Sequence, residues 1–231
     1  MNDIKKNYNN FVKNNFINYD ERQIDILETI QKIWEENNKI NFFYSRKKIN
    51  GIYVNGSVGI GKTFILNLFI QNIKKSKKIH FNHLMIDIHA FINNKNESNL
   101  NKYISNLKSS FDLIFIDELH IFNIVDALLI KKIFTLFEKY KIFILISSNF
   151  KPYELYKNGL QRNDFIPFVD FIEESFEILN LDNMKDYRRQ MLNQSKTYFT
   201  PINNTTSLEF NNLFNKFVDE SEIHIRKIKT K

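Results

Sequence analysis

Residues Gly56-Ser57-Val58-Gly59-Ile60-Gly61-Lys62-Thr63 fill every fixed position of the phosphate-binding pattern G-x-x-x-x-G-K-[ST]. Each fixed residue has a task on a nucleoside triphosphate. The glycines let successive backbone N–H groups turn inward around phosphate oxygens, where any Cβ would crowd the ligand. Lys62 supplies positive charge to the β- and γ-phosphates, and Thr63 offers its hydroxyl to Mg²⁺. The flanks agree. Residues 49–54 are a short apolar, β-rich run, and residues 64–70 read as a buried helix whose N-terminus faces the phosphates. A glycine-rich turn arising by chance has no reason to sit between a strand and a helix.

The chain has 231 residues, enough for one ordinary domain or one domain with a small appendage. With 43% apolar residues and 23 Phe it can bury a sizeable core. The lack of cysteine excludes disulfides, thiolate metal ligands and a cysteine nucleophile, and fits a reducing compartment. No apolar run approaches the roughly 18 residues of a membrane span. Residues 1–10 carry neither a hydrophobic signal core nor an arginine, so neither a secretory signal nor a mitochondrial presequence is read there. A soluble, cytoplasmic protein is expected. The net charge of +7 admits a nucleic-acid partner. However, Asn, Ile, Lys and Phe are over-used throughout, while arginine occurs only at positions 22, 46, 162, 188, 189 and 226. Such bias is what an A/T-rich genome produces, and a solvated lysine surface is the favoured reading.

Before the loop, Ile24, Leu27, Ile30, Ile33 and Trp34 recur at helical spacing behind Asp20, a candidate N-cap. After it come four more strand candidates, residues 79–85, 113–116, 142–147 and 176–181, interleaved with helical segments. The two middle runs are short, continuous and apolar, as strands buried on both faces are. Alternating strands and helices predict an α/β fold: a five-stranded, mostly parallel sheet flanked by helices, with ligands at the carboxyl ends of the strands. Residues 93–106 are polar and Asn-rich, read as a loop or an exposed helix start. Beyond residue 182 the character changes, with a turn at 200–204, an amphipathic helix carrying Leu208, Leu213, Phe214 and Phe217, and a strand-like alternation at 223–229. The expected organisation is an N-terminal helical segment (1–48), a P-loop core (49–181) and an incomplete C-terminal lid (182–231).

A second set of residues completes a hydrolytic site. Residues 113–116 deliver Asp117 to the mouth of the sheet, where it would hold Mg²⁺ directly or through water, and Glu118 stands beside it to polarise an attacking water. An acidic helix cap is the alternative. The next strand ends in Ser147-Ser148-Asn149. Asn149 is the candidate that touches the γ-phosphate or lytic water, with Ser148 as a structural cap. Arg162, before a helix, is a candidate finger toward a neighbouring subunit's γ-phosphate, against a surface ion pair with Asp164 or Glu173. Lys62, Glu118, Asn149 and Arg162 are thus the catalytic candidates, and Thr63 and Asp117 the metal ligands. His80, His83 and His89 are not read as a metal site, because i and i+3 on a strand face opposite sides.

The whole constellation resembles the AFG1/ZapE family of P-loop ATPases, related to AAA+ proteins. Gly51-Ile52-Tyr53 resembles the family's G-[LI]-Y, and His80-Phe81-Asn82-His83-Leu84-Met85 with His89 resembles H-F-H-x-F-M…H. Ile116-Asp117-Glu118-Leu119 with Asp126-Ala127 is similar to DEF…DA. Most specific is the run from Ser148 to Phe168, which contains Gly159-Leu160-Gln161-Arg162 and resembles SN-x-x-P-x-x-LY-x-[ND]-GLQR-x-x-F-[LI]-P almost throughout. Asp186-Tyr187-Arg188 and Tyr198-Phe199-Thr200-Pro201 resemble D-Y-R and Y-x-x-P.

Two departures stand out. Asn123 occupies a position usually held by Asp, which would weaken a local hydrogen bond. The family also continues past residue 231 into a lid carrying a sensor-2 arginine, a role for which Arg188 is a candidate here. The resemblance implies binding of ATP and Mg²⁺, homo-oligomerisation and ATP hydrolysis coupled to remodelling a protein partner. Bacterial members are linked to the division ring and its FtsZ polymers, and mitochondrial ones to turnover of inner-membrane subunits; composition favours the bacterial setting. Peripheral membrane association stays open. A DNA-associated, helicase-loader-like protein and a nucleotide-binding scaffold with little turnover are the alternatives. The first lacks an appended DNA-binding helix-turn-helix.

Overall fold

The computed structural model describes residues 2–14, 16–39, 49–93, 98–181 and 206–208. Five strands, β1 (Gly51–Asn55), β2 (Ser76–His80), β3 (Leu113–Asp117), β4 (Phe143–Ser148) and β5 (Phe176–Asn180), form one sheet in the order β2-β3-β4-β1-β5, every pair parallel. All residues of β1, β3 and β4 are buried. These strands have helices on both faces, which is why they read as unbroken apolar runs.

Side chains alternate across this sheet. Ile52, Val54, Leu113, Phe115, Phe143 and Leu145 face one layer, made by α1 (Asn2–Lys13), α2 (Glu21–Lys39) and α3 (Lys62–Ile70). Tyr53, Ile114, Ile116, Ile144 and Ile146 face the other, made by α4 (Phe81–Asn93), α5 (Ser98–Ser110), α6 (Ile124–Lys139) and α7 (Arg162–Ser175). The stripe expected on α2 is there, with Leu27 and Ile30 buried and Ile24, Ile33 and Trp34 packed against the same cluster. Asp20 accepts from the Arg22 N–H at 2.9 Å at its start. Contacts within the chain group Met1–Lys185 as one unit and Asp186–Lys231 as a second. Of the second unit only residues 206–208 are described, as a helical turn. The remainder of the C-terminal readings (Asp186-Tyr187-Arg188, 198–201, the turn at 200–204, Leu213, Phe214 and Phe217 of the amphipathic helix, and 223–229) lies outside the described residues.

Three elements differ from expectation. The strand placed at 79–85 is β2 at Ser76–His80, and α4 begins at Phe81 with no intervening loop. Phe81, Leu84, Met85 and Ile88 are all buried, an i, i+3, i+4, i+7 pattern that is helical, not strand-like. Ser76-Lys77-Lys78 carry no strand signal because β2 is a sheet edge and shows its polar residues to solvent. The Asn-rich segment contains a full helix, α5, anchored by Leu100, Ile104 and Leu107. Within the N-terminal segment expected to be helical, α1 is a helix for which no apolar stripe is named, and it buries Ile4 and Tyr8, one turn apart.

The layer of α6 and α7 centres on Phe134, 1% exposed, whose ring lies 5.0 Å from that of Phe168, 5.7 Å from Phe137 and 6.0 Å from Phe176. Phe134→Ala is expected to cost about 3–5 kcal/mol in urea denaturation. Phe122→Ala, at a side chain 77% exposed, should stay within about 0.5 kcal/mol of the parent.

Candidate active site

The loop after β1 turns through three glycines at positive φ, Gly56 (150°), Gly59 (86°) and Gly61 (91°), the last being the N-cap of α3. At Gly61 there is a second constraint, since a Cβ would stand 2.8 Å from Gln23 Nε2. Gln23 is 2% exposed, and its Nε2 donates to the Ile60 carbonyl at 3.3 Å while Tyr8 Oη donates to its Oε1 at 3.0 Å. Helices α1 and α2 therefore brace the loop from outside. Lys62 opens α3 and is only 7% exposed. Its ammonium donates to the Gly56 and Ser57 carbonyls at 2.7 and 2.8 Å and to Asn149 Oδ1 at 2.9 Å. A buried ammonium persists because its donors are satisfied.

Opposite, β3 carries Asp117 to the same edge. Its Oδ1 accepts from Thr63 Oγ1 at 2.9 Å and from Ser147 Oγ at 2.5 Å, and its Oδ2 pairs with Lys78 Nζ at 2.9 Å. Burial by itself pushes the Asp117 carboxyl up, but hydrogen bonds from Lys78, Ser147 and Thr63, together with the Lys78 charge, outweigh it and hold the group below its ordinary value. It is ionised throughout the neutral range.

Glu118 follows in a left-handed conformation (φ 56°) that non-glycine residues seldom adopt. Three contacts hold it there. Its N–H donates to Ser147 Oγ at 2.9 Å, His120 Nδ1 donates to its carbonyl at 2.8 Å, and His80 Nε2 lies 3.1 Å from its Oε2. Its side chain remains 58% exposed at the mouth of the sheet.

The end of β4 ties these parts together. Ser147 bridges both acids, a role the sequence reading missed. Its signal was a hydroxyl within a strand buried at every position, which must find partners. Ser148 Oγ donates to the Leu119 carbonyl at 2.7 Å and accepts from the Phe150 N–H at 3.1 Å, so it secures the turns after β3 and β4. Tyr53, fully buried in β1, donates to the Phe150 carbonyl at 2.8 Å and sets the loop that presents Asn149.

Lys62, Thr63, Asp117, Glu118 and Asn149 thus converge at the carboxyl ends of β1, β3 and β4. Arg162 is held elsewhere. Its guanidinium donates to the carbonyls of Tyr153 and Leu155 and lies 5.9 Å from the Phe165 ring centroid. The histidines also differ from expectation, since His83 is on α4 and its ring approaches that of His80 to 5.8 Å. Each outer histidine engages a carboxylate, His80 with Glu118 and His89 with Asp126 at 2.7 Å. Among the described residues no three His, Asp or Glu side chains come together as metal ligands. Asn123 loses nothing relative to Asp. It caps α6 by accepting from the Asp126 N–H at 2.8 Å, and its Nδ2 adds a bond to Asp126 Oδ2 at 2.6 Å.

A glycine-lined turn at a helix N-terminus fits phosphate, and the paired oxygens of Thr63 and Asp117 fit a hard divalent cation, which takes oxygen ligands. Sheet order, loop and acid pair together define an AAA+-like P-loop nucleoside triphosphatase fold. The chain belongs to the AFG1-like ATPase family, whose profile matches residues 5–230. It is 29% identical over 170 residues to the cell division protein ZapE of Escherichia coli, covering 72% of this chain and 45% of that protein. It is also 32% identical over 183 residues to an uncharacterised Schizosaccharomyces pombe protein, covering 74% and 40%. The chain therefore spans less than half the length of these relatives. Among solved structures, DnaI superposes with a TM-score of 0.50 at 17% identity, covering 74% of this chain and 86% of that one. No helix among the described residues is long and apolar enough to cross a membrane.

Because the folded Asp117 value lies below the unfolded one, the stability it contributes is present at neutral pH and lost as pH falls through the folded value. Ser147→Ala removes one of the donors that lower it. The variant is expected to lose about 1–3 kcal/mol in denaturation, and its acid-unfolding midpoint should move to higher pH.

Proposed function

We propose that this chain binds ATP with Mg²⁺ and hydrolyses it. The convergence of Lys62, Thr63, Asp117, Glu118 and Asn149 at one sheet edge carries this reading. The loop amides and Lys62 would bind the phosphates, and phosphate oxygens would take over part of what the ammonium now gives to the Gly56 and Ser57 carbonyls. Thr63 and Asp117 would hold the cation, which when bound neutralises charge developing on the transferred phosphoryl group. Glu118 would orient a water toward the γ-phosphorus and accept its proton as the water oxygen bonds to phosphorus and the bond to the β–γ bridging oxygen breaks. His80 holds that carboxylate now, so base action requires Glu118 to exchange His80 for water. Asn149, which accepts from Lys62, would couple the lysine to the γ-phosphate.

Arg162 would act as a finger in a homo-oligomer only after leaving the carbonyls of Tyr153 and Leu155. Residues 182–231 are assigned to a lid, on resemblance. The similarity to a cell division protein supports a cytoplasmic ATPase that remodels a protein partner, with an FtsZ-like division protein as the first candidate. A helicase-loader-like role on DNA has the +7 charge in its favour. It requires strongly salt-dependent binding to single-stranded DNA, and binding that ignores salt would count against it.

Glu118→Gln is expected to retain ATP and lower turnover by about 10²–10⁴, while Lys62→Ala loses nucleotide binding in a fluorescent-nucleotide titration. Wild-type protein that neither binds nor turns over ATP would sink the proposal. Binding without turnover in both wild type and Glu118→Gln would select the scaffold reading. For Arg162, mixing Arg162→Ala with Lys62→Ala subunits should restore turnover beyond the sum of the two if the finger works in trans, because an Arg162→Ala subunit keeps a complete nucleotide site and a Lys62→Ala neighbour supplies the arginine; no gain on mixing counts against the finger. An Arg162→Ala protein with unchanged turnover and a lower Tm would assign the residue to the carbonyl clasp alone.

A further inference from the structure

We infer that Lys78 sets how much Mg²⁺ this site requires, because its ammonium is already bound to the carboxylate that the metal would use. The inference rests on the Mg–ATP reading above and extends it to a residue outside the phosphate loop and the acid pair.

In the sequence Lys78 looks like one more solvated lysine in a run with Lys74, Lys75 and Lys77. Its placement is different. It lies on β2 in register with Phe115, two residues before Asp117 on the neighbouring strand. Ile79 packs into the helical layer of α4 to α7, so Lys78 emerges on the opposite face, the one that carries α3 and the loop. The Nζ atom lies 5.5 Å from the Phe115 ring centroid and 2.9 Å from Asp117 Oδ2. The stem thus follows an apolar surface while the head reaches the acid, with side-chain exposures of 38% for Lys78 and 7% for Asp117.

The other carboxylate oxygen is taken by the Thr63 and Ser147 hydroxyls. Both oxygens of Asp117 are therefore engaged by protein donors, and one of those donors carries a full charge. A divalent cation using this carboxylate, directly or through water, must share it with a like charge a few ångströms away or displace that charge. At such distances near a protein surface, repulsion is large enough to matter for binding. Displacement is feasible because β2 is the edge of the sheet and the lysine head is at the solvent border. Lys78 then acts as a positioning residue. It keeps Asp117 aimed, and it raises the Mg²⁺ concentration at which the nucleotide site fills.

A purely structural partner for a buried acid would affect folding and leave the metal requirement alone, and this separates the two roles. The test titrates Mg²⁺ against the full chain holding a fluorescent, non-hydrolysable ATP analogue, with Mn²⁺ binding followed by electron paramagnetic resonance as a second readout. Lys78→Gln removes the charge but keeps a donor for Asp117, Lys78→Met removes both, and Lys78→Arg keeps the charge. The Gln and Met variants are expected to reach half-saturation at about tenfold lower Mg²⁺, with tighter Mn²⁺ binding, while Arg behaves as wild type. If Met unfolds, the Gln variant with a parental Tm carries the comparison. An unchanged or higher Mg²⁺ requirement in a folded Gln variant overturns the inference while leaving the Mg–ATP reading intact. Wild-type protein whose nucleotide binding ignores Mg²⁺ overturns both.

Discussion

The carboxylate of Asp117 is the point on which the active edge of this molecule depends. A charge only 5% exposed is tolerable because it is fully ligated, and its ligands come from three different elements. Thr63 brings the start of α3, Ser147 the end of β4 and Lys78 the edge strand β2. Satisfying one buried acid therefore fixes the relative positions of the phosphate loop, the acid pair and the strand that presents Asn149. Burial pushes this carboxyl up, and the hydrogen bonds from Lys78, Ser147 and Thr63 with the Lys78 charge hold it below its ordinary value.

The neighbouring arrangement follows from sheet order. With β4 between β3 and β1, its last residues are within reach of both the acids and the loop, so Ser147 grips Asp117 and Glu118 while Asn149 grips Lys62. The left-handed backbone at Glu118 costs on the order of 1–3 kcal/mol, and it persists under three separate restraints at the amide, the carbonyl and the side chain. Three restraints thus converge on a single exposed carboxylate at the mouth of the sheet. The same carboxylate is shared with His80, so its availability depends on where β2 and α4 stand.

Much of this was legible beforehand. The loop, the paired acids and the fully buried strands announce themselves because a phosphate-binding turn tolerates few residue types and a two-sided strand tolerates only apolar ones. Of only five glycines in the chain, three lie in that loop, where their backbone angles require them. The misreadings have equally physical causes. An edge strand shows half its residues to water, so Ser76-Lys77-Lys78 carry no strand signal, and the apolar run of α4 imitates one. The helix α5 hid in an Asn-rich stretch because only Leu100, Ile104 and Leu107 mark its buried face. Family resemblance located Arg162, but the carbonyls that now hold its guanidinium belong to a turn whose geometry no motif specifies.

What the sequence determined by itself is the chemistry on offer: a phosphate cradle with its lysine and threonine, an acid pair at a strand end, and an asparagine on the next strand. These follow from residue type and local spacing, which act over a few residues. Which of them meet was decided only by tertiary structure. Ser147 on Asp117, Lys78 on the same carboxylate, His80 on Glu118 and Gln23 beneath the loop are contacts between residues 30 to 39 positions apart. They exist because parallel pairing brings distant strand ends into register, and because a buried charge or amide must find its partners wherever the fold places them.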